Sequence, residues 1–288
     1  MKAMKRINIG TIYIFISAVC FSLAGVLIKK ITWSSLTING VRNLFAFLVM
    51  AIYLKKIGHK FVLNRIVVLG AICNLLMNLT FVMATKLTSA ANAIVLQFTE
   101  PIFLILFLWI FWKHRPDRKA ILACIFVFGG ILCFFFDQLS FQGQLGNIIA
   151  ILSGILYAMV FLMKKVKNAN LESSVLLSQL VSFIIFLPAY FRETDPAPIN
   201  FILIILLGVV QMGFGYVLLA KGLEKVTPVS ASLTSTIEPI LNPIWVAIFY
   251  GELITPIAVV GAAMVIVSST IYNIVSSDTI NVKQEVIE

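Results

Sequence analysis

The stretch SAANAIVLQFTEPIFLILFLWIFW, residues 89–112, decides the fold of this chain. It is 24 residues long and mostly apolar, and Glu100 stands at its twelfth position. A second stretch, TPVSASLTSTIEPILNPIWVAIFY at residues 227–250, has the same length and carries Glu238 at the same place. About 20 mostly apolar residues suffice to cross a bilayer. Both stretches are therefore predicted to be transmembrane helices with a carboxyl group near mid-membrane.

The composition of the whole chain agrees with a membrane protein. Of its 288 residues, 60% are hydrophobic and 12% are charged, against roughly 45–50% and about 25% in ordinary globular chains. A soluble chain of this length cannot bury so much apolar surface, which excludes a soluble enzyme and a secreted disulfide-rich domain. The four cysteines lie in apolar runs without metal-binding spacing. We expect neither a metal nor a cofactor.

Hydropathy predicts an all-α integral membrane protein with ten transmembrane helices. The first five fall in a repeat that covers residues 1–138, the second five fall in a repeat that covers 139–276, and residues 277–288 form a polar tail. The ten predicted spans are 9–28, 37–53, 66–83, 89–112, 120–136, 146–163, 173–191, 201–220, 227–250 and 256–275.

Basic residues indicate the orientation of these spans. Seventeen of the 22 Lys and Arg residues fall in the N-terminal segment, in the tail or in connections on the same side, and four fall in the opposite connections. Cytoplasmic loops carry such an excess of positive charge. We therefore expect a protein of the cell (plasma) membrane with both termini in the cytoplasm. The net charge of +10 is explained by topology, and nucleic acid is not an expected partner.

The two halves of the chain repeat one another. A shift of 138 residues superposes Glu100-Pro101-Ile102 on Glu238-Pro239-Ile240. Each half contains five predicted spans, an odd number, so the halves must have opposite orientations in the bilayer. Inverted repeats of this kind are typical of secondary transporters, whose substrate site lies near the midplane between the repeats.

Four motifs of the chain form a recognisable set. They are Leu87-Thr88-Ser89-Ala90-Ala91-Asn92-Ala93 before Glu100-Pro101-Ile102, the counterpart Thr227-Pro228-Val229-Ser230-Ala231-Ser232-Leu233 before Glu238-Pro239-Ile240, Gly222-Leu223, and Phe249-Tyr250-Gly251-Glu252. With these motifs the chain resembles the drug/metabolite transporter superfamily, in particular ten-span transporters of the EamA type, over nearly its whole length. The resemblance implies the transport of amino acids or related metabolites, more often out of the cell than into it.

The two mid-membrane glutamates are the first candidates for a functional site. An acidic group at the centre of a membrane helix costs roughly 2.5 to 3.5 kcal/mol on insertion scales, so it needs a functional or structural reason. Proline follows each of them, and Pro101, Pro239 and Pro243 are predicted to break their helices because proline has no N–H to donate. One alternative remains open: protonated glutamates that only join helices by structural hydrogen bonds.

Other polar side chains recur at helical spacing on the neighbouring spans. We predict that they line a cavity shared by five spans, where they bind substrate or support proton coupling. Arg42 is a secondary candidate for binding a substrate carboxylate near the outer mouth, but we expect its side chain to extend towards the membrane surface, as basic side chains near helix ends do. The predicted substrate-binding or proton-coupling residues are Glu100, Glu238, Gln97, Asn74, Asn78, Ser235, Asn242, Gln179 and Gln211.

The sequence thus predicts a secondary active transporter of a small polar metabolite that works by alternating access. Its expected partners are the small-molecule substrate, the lipid bilayer and a coupling proton, and it is expected to be a monomer or a homodimer. Efflux of cationic drugs and passive facilitation are the alternatives. An intramembrane enzyme is disfavoured because no nucleophile–base pair or metal motif lies within a span.

Overall fold

A computed structural model of the chain describes residues 8–113, 115, 117–136, 142–250 and 255–285. Side chains are described for all of these except 90, 134, 164, 242, 243, 246–250 and 276–285. The boundary predicted between the repeats at residue 138 therefore lies outside the described residues, as do His114, Gly251 and Glu252.

The chain forms helices joined by short connections. A 3-10 turn, Met163–Lys165, follows α8, and a π-helical segment, Leu207–Phe214, joins α10 to α11. The α-helices are α1 Ile9–Phe21, α2 Ala24–Lys30, α3 Ser35–Lys56, α4 Arg65–Leu87, α5 Ala90–Gln97, α6 Glu100–Trp112, α7 Arg118–Phe134, α8 Gln144–Leu162, α9 Leu171–Tyr190, α10 Pro198–Leu206, α11 Gly215–Leu223, α12 Pro228–Ser235, α13 Ile237–Tyr250 and α14 Pro256–Glu285.

This architecture confirms the predicted all-helical membrane fold. Eight helical segments of the described part are long and apolar enough to cross a membrane. The fifth predicted span corresponds to α7, which has 17 residues, and the ninth corresponds to the interrupted pair α12 and α13. Apolar side chains also cover the outside of the bundle, as in Leu122 and Ile125 of α7. Such a surface is stable against lipid chains, which are as apolar as leucine.

Three helices differ from the sequence-based expectation. The first predicted span is two helices, because the chain turns at Ser22 and Leu23 between α1 and α2. The eighth predicted span contains the π-helical segment, in which each backbone hydrogen bond spans one residue more than in an α-helix. The predicted polar tail begins as helix, because α14 continues from the last span to Glu285.

The helices α7 and α14 pack along each other at the edge of the bundle. A Cβ atom on Gly130 would lie only 2.8 Å from the carbonyl oxygen of Gly261, so the two backbones approach closely there. Only about a sixth of the described α14 span, 17%, is buried. The remaining helices therefore surround the interior, where the polar side chains lie.

Candidate functional site

The helices that carry the two glutamates are interrupted at matching positions. The first pair, α5 and α6, is separated by Phe98 and Thr99, and the second pair, α12 and α13, is separated by Thr236. Adding 138 to the bounds of α5, residues 90–97, gives the bounds of α12, residues 228–235. The two helix starts are also capped alike, since Ser89 accepts a 3.0 Å hydrogen bond from the backbone N–H of Asn92. At the corresponding place, Thr227 accepts one of 3.2 Å from Ser230.

The glutamates lie in the first turn of the restarted helices, α6 and α13. The interruption thus precedes each Glu-Pro pair instead of following it. Pro101 and Pro239 stand in these first turns, where backbone N–H groups have no intrahelical acceptor and a missing donor costs little. The helix dipole at such a start favours a carboxylate.

The break predicted at Pro243 is wrong. The helix α13 continues from Ile237 through Pro243 to Tyr250. One proline removes a single hydrogen bond, which a helix can absorb as a bend without ending. The side chains of Pro243 and of Asn242, a predicted site residue, lie outside the described residues.

Both glutamate side chains are buried, and each has an oxygen without a partner. Glu100 is 0% exposed and Glu238 is 9% exposed. Oε2 of Glu100 accepts a 3.0 Å hydrogen bond from the hydroxyl of Ser232 on α12. Oε1 of Glu100 and Oε2 of Glu238 find no hydrogen-bond partner in the described part of the chain. The carboxyl groups can therefore still take up a proton or another donor.

Two further predicted residues, Gln97 and Ser235, end the helices that precede the two glutamates. The amide of Gln97 donates a 2.9 Å hydrogen bond to Ser153 on α8, whose hydroxyl donates one of 3.1 Å to the carbonyl oxygen of Met77 on α4. Ser235 interacts with the hydroxyl of Tyr157, which is also within electrostatic range of Glu238. Residues of both halves thus meet around the glutamates.

The predicted asparagines of α4 belong to a second polar cluster. Asn74 donates a 2.6 Å hydrogen bond to Ser178 of α9. The hydroxyl of Tyr216, on α11, donates a 2.7 Å bond to Asn74 and accepts one of 2.8 Å from Asn78. This cluster connects α4 of the first half with α9 and α11 of the second.

Arg42 joins the same cluster, and the expectation that it reaches the membrane surface is wrong. Its side chain is 1% exposed. Nη2 donates hydrogen bonds of 3.2 Å to Asn39 Oδ1 and of 3.3 Å to both the carbonyl and the side-chain oxygen of Asn78. These interior acceptors hold the guanidinium inside the bundle. Carboxylate binding is the alternative that the sequence leaves open for Arg42, and a charge within a span is itself a signal of a functional residue.

Several polar atoms near this cluster are buried without a hydrogen-bond partner among the described residues. Buried polar groups in native proteins are usually paired, so each unpaired one needs a functional or structural reason. Gln179 and Gln211 were predicted from the sequence, whereas Asn39 was not. The atoms are Asn39 Nδ2, Arg42 Nε, both amide atoms of Gln179, Ser182 Oγ and Gln211 Oε1.

A set of hydrogen bonds joins loops of the two halves at one end of the bundle. We call this set of contacts the far latch. The indole N–H of Trp33, before α3, donates a 2.9 Å hydrogen bond to the carbonyl oxygen of Asp195, after α9. The Asp195 carboxylate accepts one of 2.6 Å from Thr32, and Glu193 accepts one of 2.9 Å from the backbone N–H of Ser34.

Both acids of the far latch are more acidic than usual. The hydrogen bond from Thr32 and the N–H of Ala197 lower the pKa of Asp195. Burial raises the pKa of Glu193, but hydrogen bonds from Thr37 and Ser34 outweigh it, so that this pKa is also lowered. The latch thus holds both groups as carboxylates.

A second set of contacts, the near latch, joins the halves at the end where α1 begins. It connects the α3–α4 loop with the α8–α9 loop. His59 hydrogen-bonds Asn170 at 3.2 Å, and the amide of Asn64 donates a 2.9 Å bond to the carbonyl oxygen of Asn168. Both ends of the bundle are therefore bridged between the halves in this conformation.

Within the described residues, no group of three His, Cys, Asp or Glu side chains could hold a metal ion. The four cysteines are free thiols. The polar interior consists instead of two carboxyls, one guanidinium, amides and hydroxyls. Such groups can exchange protons and form hydrogen bonds with a polar solute.

The chain is similar to known membrane transport proteins. The sequence model of the EamA-like transporter family matches residues 8–136 and again residues 144–274. An uncharacterized transporter of Archaeoglobus fulgidus is 25% identical over 281 residues, covering 92% of this chain and 97% of the relative. Human solute carrier family 35 member G1 is 26% identical over 288 residues, covering 91% and 78%.

The fold also matches a solved crystal structure of another protein. The TM-score is 0.79 at 10% sequence identity, and the match covers 92% of this chain and 97% of the other. At this identity the likeness supports the fold alone.

Proposed function

The chain belongs to the EamA-like transporter family, and on that basis we propose that it is a secondary active transporter of a small polar metabolite, an amino acid or a related compound. As a multi-pass membrane protein of this family it is a transporter. The proposal adds the substrate class, proton coupling and an alternating-access mechanism.

One observation carries the proposal: two buried glutamates occupy matching positions after matching helix interruptions in the two halves of the chain. Glu100 and Glu238 each have an unpartnered oxygen. A carboxyl group in a low-dielectric interior is most stable when it is protonated or paired with a cation. Binding and release of a proton at Glu100 and Glu238 can therefore be coupled to substrate movement between the halves.

The two latches support alternating access between inverted repeats. The far latch joins the connection between the first and second spans to that between the seventh and eighth. The near latch joins the second–third connection to the sixth–seventh. In the repeat, the first–second connection corresponds to the sixth–seventh, and the second–third connection corresponds to the seventh–eighth. The two latches are therefore equivalent when the halves are exchanged. Two equivalent latches at opposite ends are what two halves need if they open one end while closing the other.

The family matches at 8–136 and 144–274 support two repeats, which we assign to residues 1–138 and 139–276. We propose that both termini are cytoplasmic, because 17 basic residues lie on that side and four on the other. The near latch then faces the cytoplasm. We further propose the plasma membrane as the location and export as the direction, the latter following the resemblance stated above.

The test uses purified protein in vesicles that contain a pH-sensitive dye, with each of the common L-amino acids added in turn under an imposed pH gradient. A transported amino acid is expected to change the rate of proton flux. Glu100→Gln and Glu238→Gln should each reduce that coupled flux by about tenfold or more, and Glu224→Gln, at an exposed acid on the near-latch side, is the matched control.

The outcomes separate the proposal from its alternatives. Wild-type flux in both glutamine variants would assign the glutamates a purely structural role. Equilibration of an amino acid without accumulation under a pH gradient would indicate a passive facilitator. Proton flux driven by lipophilic cations but by no amino acid would indicate drug efflux.

A further inference from the structure

We propose that Arg42 binds a carboxylate group of the substrate, and that the transported compounds are small carboxylic acids with a second polar group. The proposal rests on the transport function proposed above and assigns a substrate-binding role to a residue outside the glutamate pair.

Arg42 has no anionic partner among the residues that the structure describes. All three of its hydrogen bonds are made by Nη2 to neutral acceptors on Asn39 and Asn78. Its Nε–H is buried and unpartnered. A buried cation that is held only by neutral acceptors lacks the counter-charge that such groups normally have. A bound anion would supply that charge.

The helices packed on α3 bring further unpartnered groups into this region. Both α9 and the π-helical segment contact α3 directly. A Cβ atom on Gly208 would lie 2.6 Å from the carbonyl oxygen of Arg42, so the π-helical segment meets α3 at this residue. From these helices come the free amide atoms of Gln179 and the free Oε1 of Gln211. The unpartnered atoms therefore belong to α3 and to two elements that pack directly against it.

The type of free group indicates the ligand. Donors prevail among the unpartnered atoms: Nε of Arg42, Nδ2 of Asn39, Nε2 of Gln179 and the hydroxyl of Ser182. Planar guanidinium and amide donors match the two oxygens of a carboxylate. One guanidinium balances one carboxylate, whereas a phosphate ester carries about two charges at neutral pH. The free acceptors, Oε1 of Gln179 and of Gln211, are left for an ammonium or hydroxyl group on the same ligand.

The proposal separates two roles inside one transporter. Arg42 and the free amides recognise the carboxylate, and Glu100 and Glu238 handle the proton. Substitutions in the two groups should therefore affect different measurements. Loss of Arg42 should weaken ligand binding, whereas Glu100→Gln should leave carboxylate binding in place while it uncouples proton flux.

The experiment is a thermal-shift titration of the purified full-length protein with pairs of ligands that differ only at the carboxylate. Each L-amino acid is compared with its amide, for example leucine with leucinamide, and lactate with lactamide. Nucleobases, sugars and lipophilic cations complete the panel. A ligand that binds only the folded state raises the melting temperature by mass action. We expect at least one acid to raise it and the matching amide to need about tenfold higher concentration.

Arg42→Gln should abolish the difference between acid and amide, and Arg42→Lys should keep part of it because the charge remains. Arg65→Gln, at an exposed arginine at the start of α4, is the matched control and should bind like the wild type. If Arg42→Gln fails to fold, the wild-type acid–amide comparison and the lysine variant still decide.

Three results would overturn the proposal: no carboxylate stabilises the protein, acid and amide stabilise it equally, or a folded Arg42→Gln variant retains the preference. Stabilisation by a sugar or a cation in place of an acid would refute carboxylate recognition while the transport function stands. Acid-selective binding without any coupled flux in vesicles would refute the proton-coupled mechanism and leave the Arg42 site in place.

Discussion

The hydroxyl of Ser232 donates a 3.0 Å hydrogen bond to Oε2 of Glu100, although the two residues stand 132 positions apart in the sequence. Ser232 lies in the last turn of α12, before the second helix interruption, and Glu100 begins the helix after the first. The bond therefore connects the two interruptions directly. A change of charge at Glu100 therefore alters a contact between the halves.

Ser232→Ala should destabilise the protein and slow transport. It leaves both oxygens of the buried Glu100 without a partner, and losing a hydrogen bond to a buried polar group costs about 1 to 3 kcal/mol. The melting temperature and the coupled flux in vesicles measure the two effects. Thr80→Val is the control, because the Thr80 hydroxyl bonds only to carbonyl oxygens of its own helix. Equal melting temperatures for the Ser232 and Thr80 variants would contradict the prediction.

Tyr216→Phe should lower stability by about 1 to 3 kcal/mol, since the hydroxyl joins Asn74 and Asn78, and both amides would lose a buried partner. The ring packs edge-on against Phe21 at a centroid distance of 5.2 Å, a contact that phenylalanine preserves. Chemical denaturation in detergent measures the loss. Tyr53→Phe, which keeps its ring contact with Lys221, should lie within about 0.5 kcal/mol of the wild type. A similar small change at Tyr216 would mean that water replaces the hydroxyl.

Sequence patterns predicted the helical membrane fold because apolar length is a strong, local signal. They also singled out Glu100 and Glu238, since a charge in mid-span and a repeated Glu-Pro pair both stand out against an apolar background. The patterns did not predict features that depend on tertiary contacts. Whether Arg42 reaches the surface or turns inward depends on Asn39 and Asn78 lying where they can accept its hydrogen bonds, which hydropathy does not show.

Backbone irregularities were equally difficult to predict. Pro243 suggests a break, yet α13 continues through it. Conversely, α1 and α2 are separated at Ser22 and Leu23, although no proline lies there. The π-helical segment at Leu207–Phe214 gives no periodic signal either, because one extra residue in a turn barely shifts the apolar pattern.

The far latch should open on acidification. The pKa values of Glu193 and Asp195 are lowered while the latch is closed, so closure is favoured when both groups are ionised. That contribution is fully present above the ordinary pKa values of about 4.5 and 3.8 and is lost as the pH falls through the lowered values. The backbone N–H of Ser34 donates its hydrogen bond to Glu193 in the closed latch. Hydrogen exchange at this N–H should therefore accelerate relative to its intrinsic rate below about pH 4.5.

Substitutions can reproduce this opening at neutral pH. Glu193→Ala together with Asp195→Asn should accelerate Ser34 exchange by about tenfold. The N–H of Ser173, which bonds Asn170 in the near latch, is the internal control and should exchange at an unchanged or slower rate. Equal acceleration at Ser34 and Ser173 would indicate general destabilisation and would contradict a local latch.

Glycine substitutions test the close approach of the π-helical segment to α3. A Cβ atom on Gly208 would lie 2.5 Å from Cβ of Phe45 and 2.6 Å from the carbonyl oxygen of Arg42, and a backbone atom cannot move aside alone. Gly208→Ala must therefore push the π-helical segment away from α3, at a cost of about 1 to 3 kcal/mol. It should also weaken carboxylate binding, because Arg42 and Gln211 lie on the two elements that are forced apart.

Gly129→Ala is the matched control, because the nearest atom to its added Cβ is Cε of Met264 at 3.9 Å, an ordinary contact. Alanine is the better helix former, so this variant should be as stable as the wild type or up to about 1 kcal/mol more stable. Melting temperatures of the two variants, measured side by side, give the comparison. If Gly208→Ala is as stable as Gly129→Ala, the π-helical segment does not rest on α3, and Gln211 cannot act together with Arg42 on one ligand.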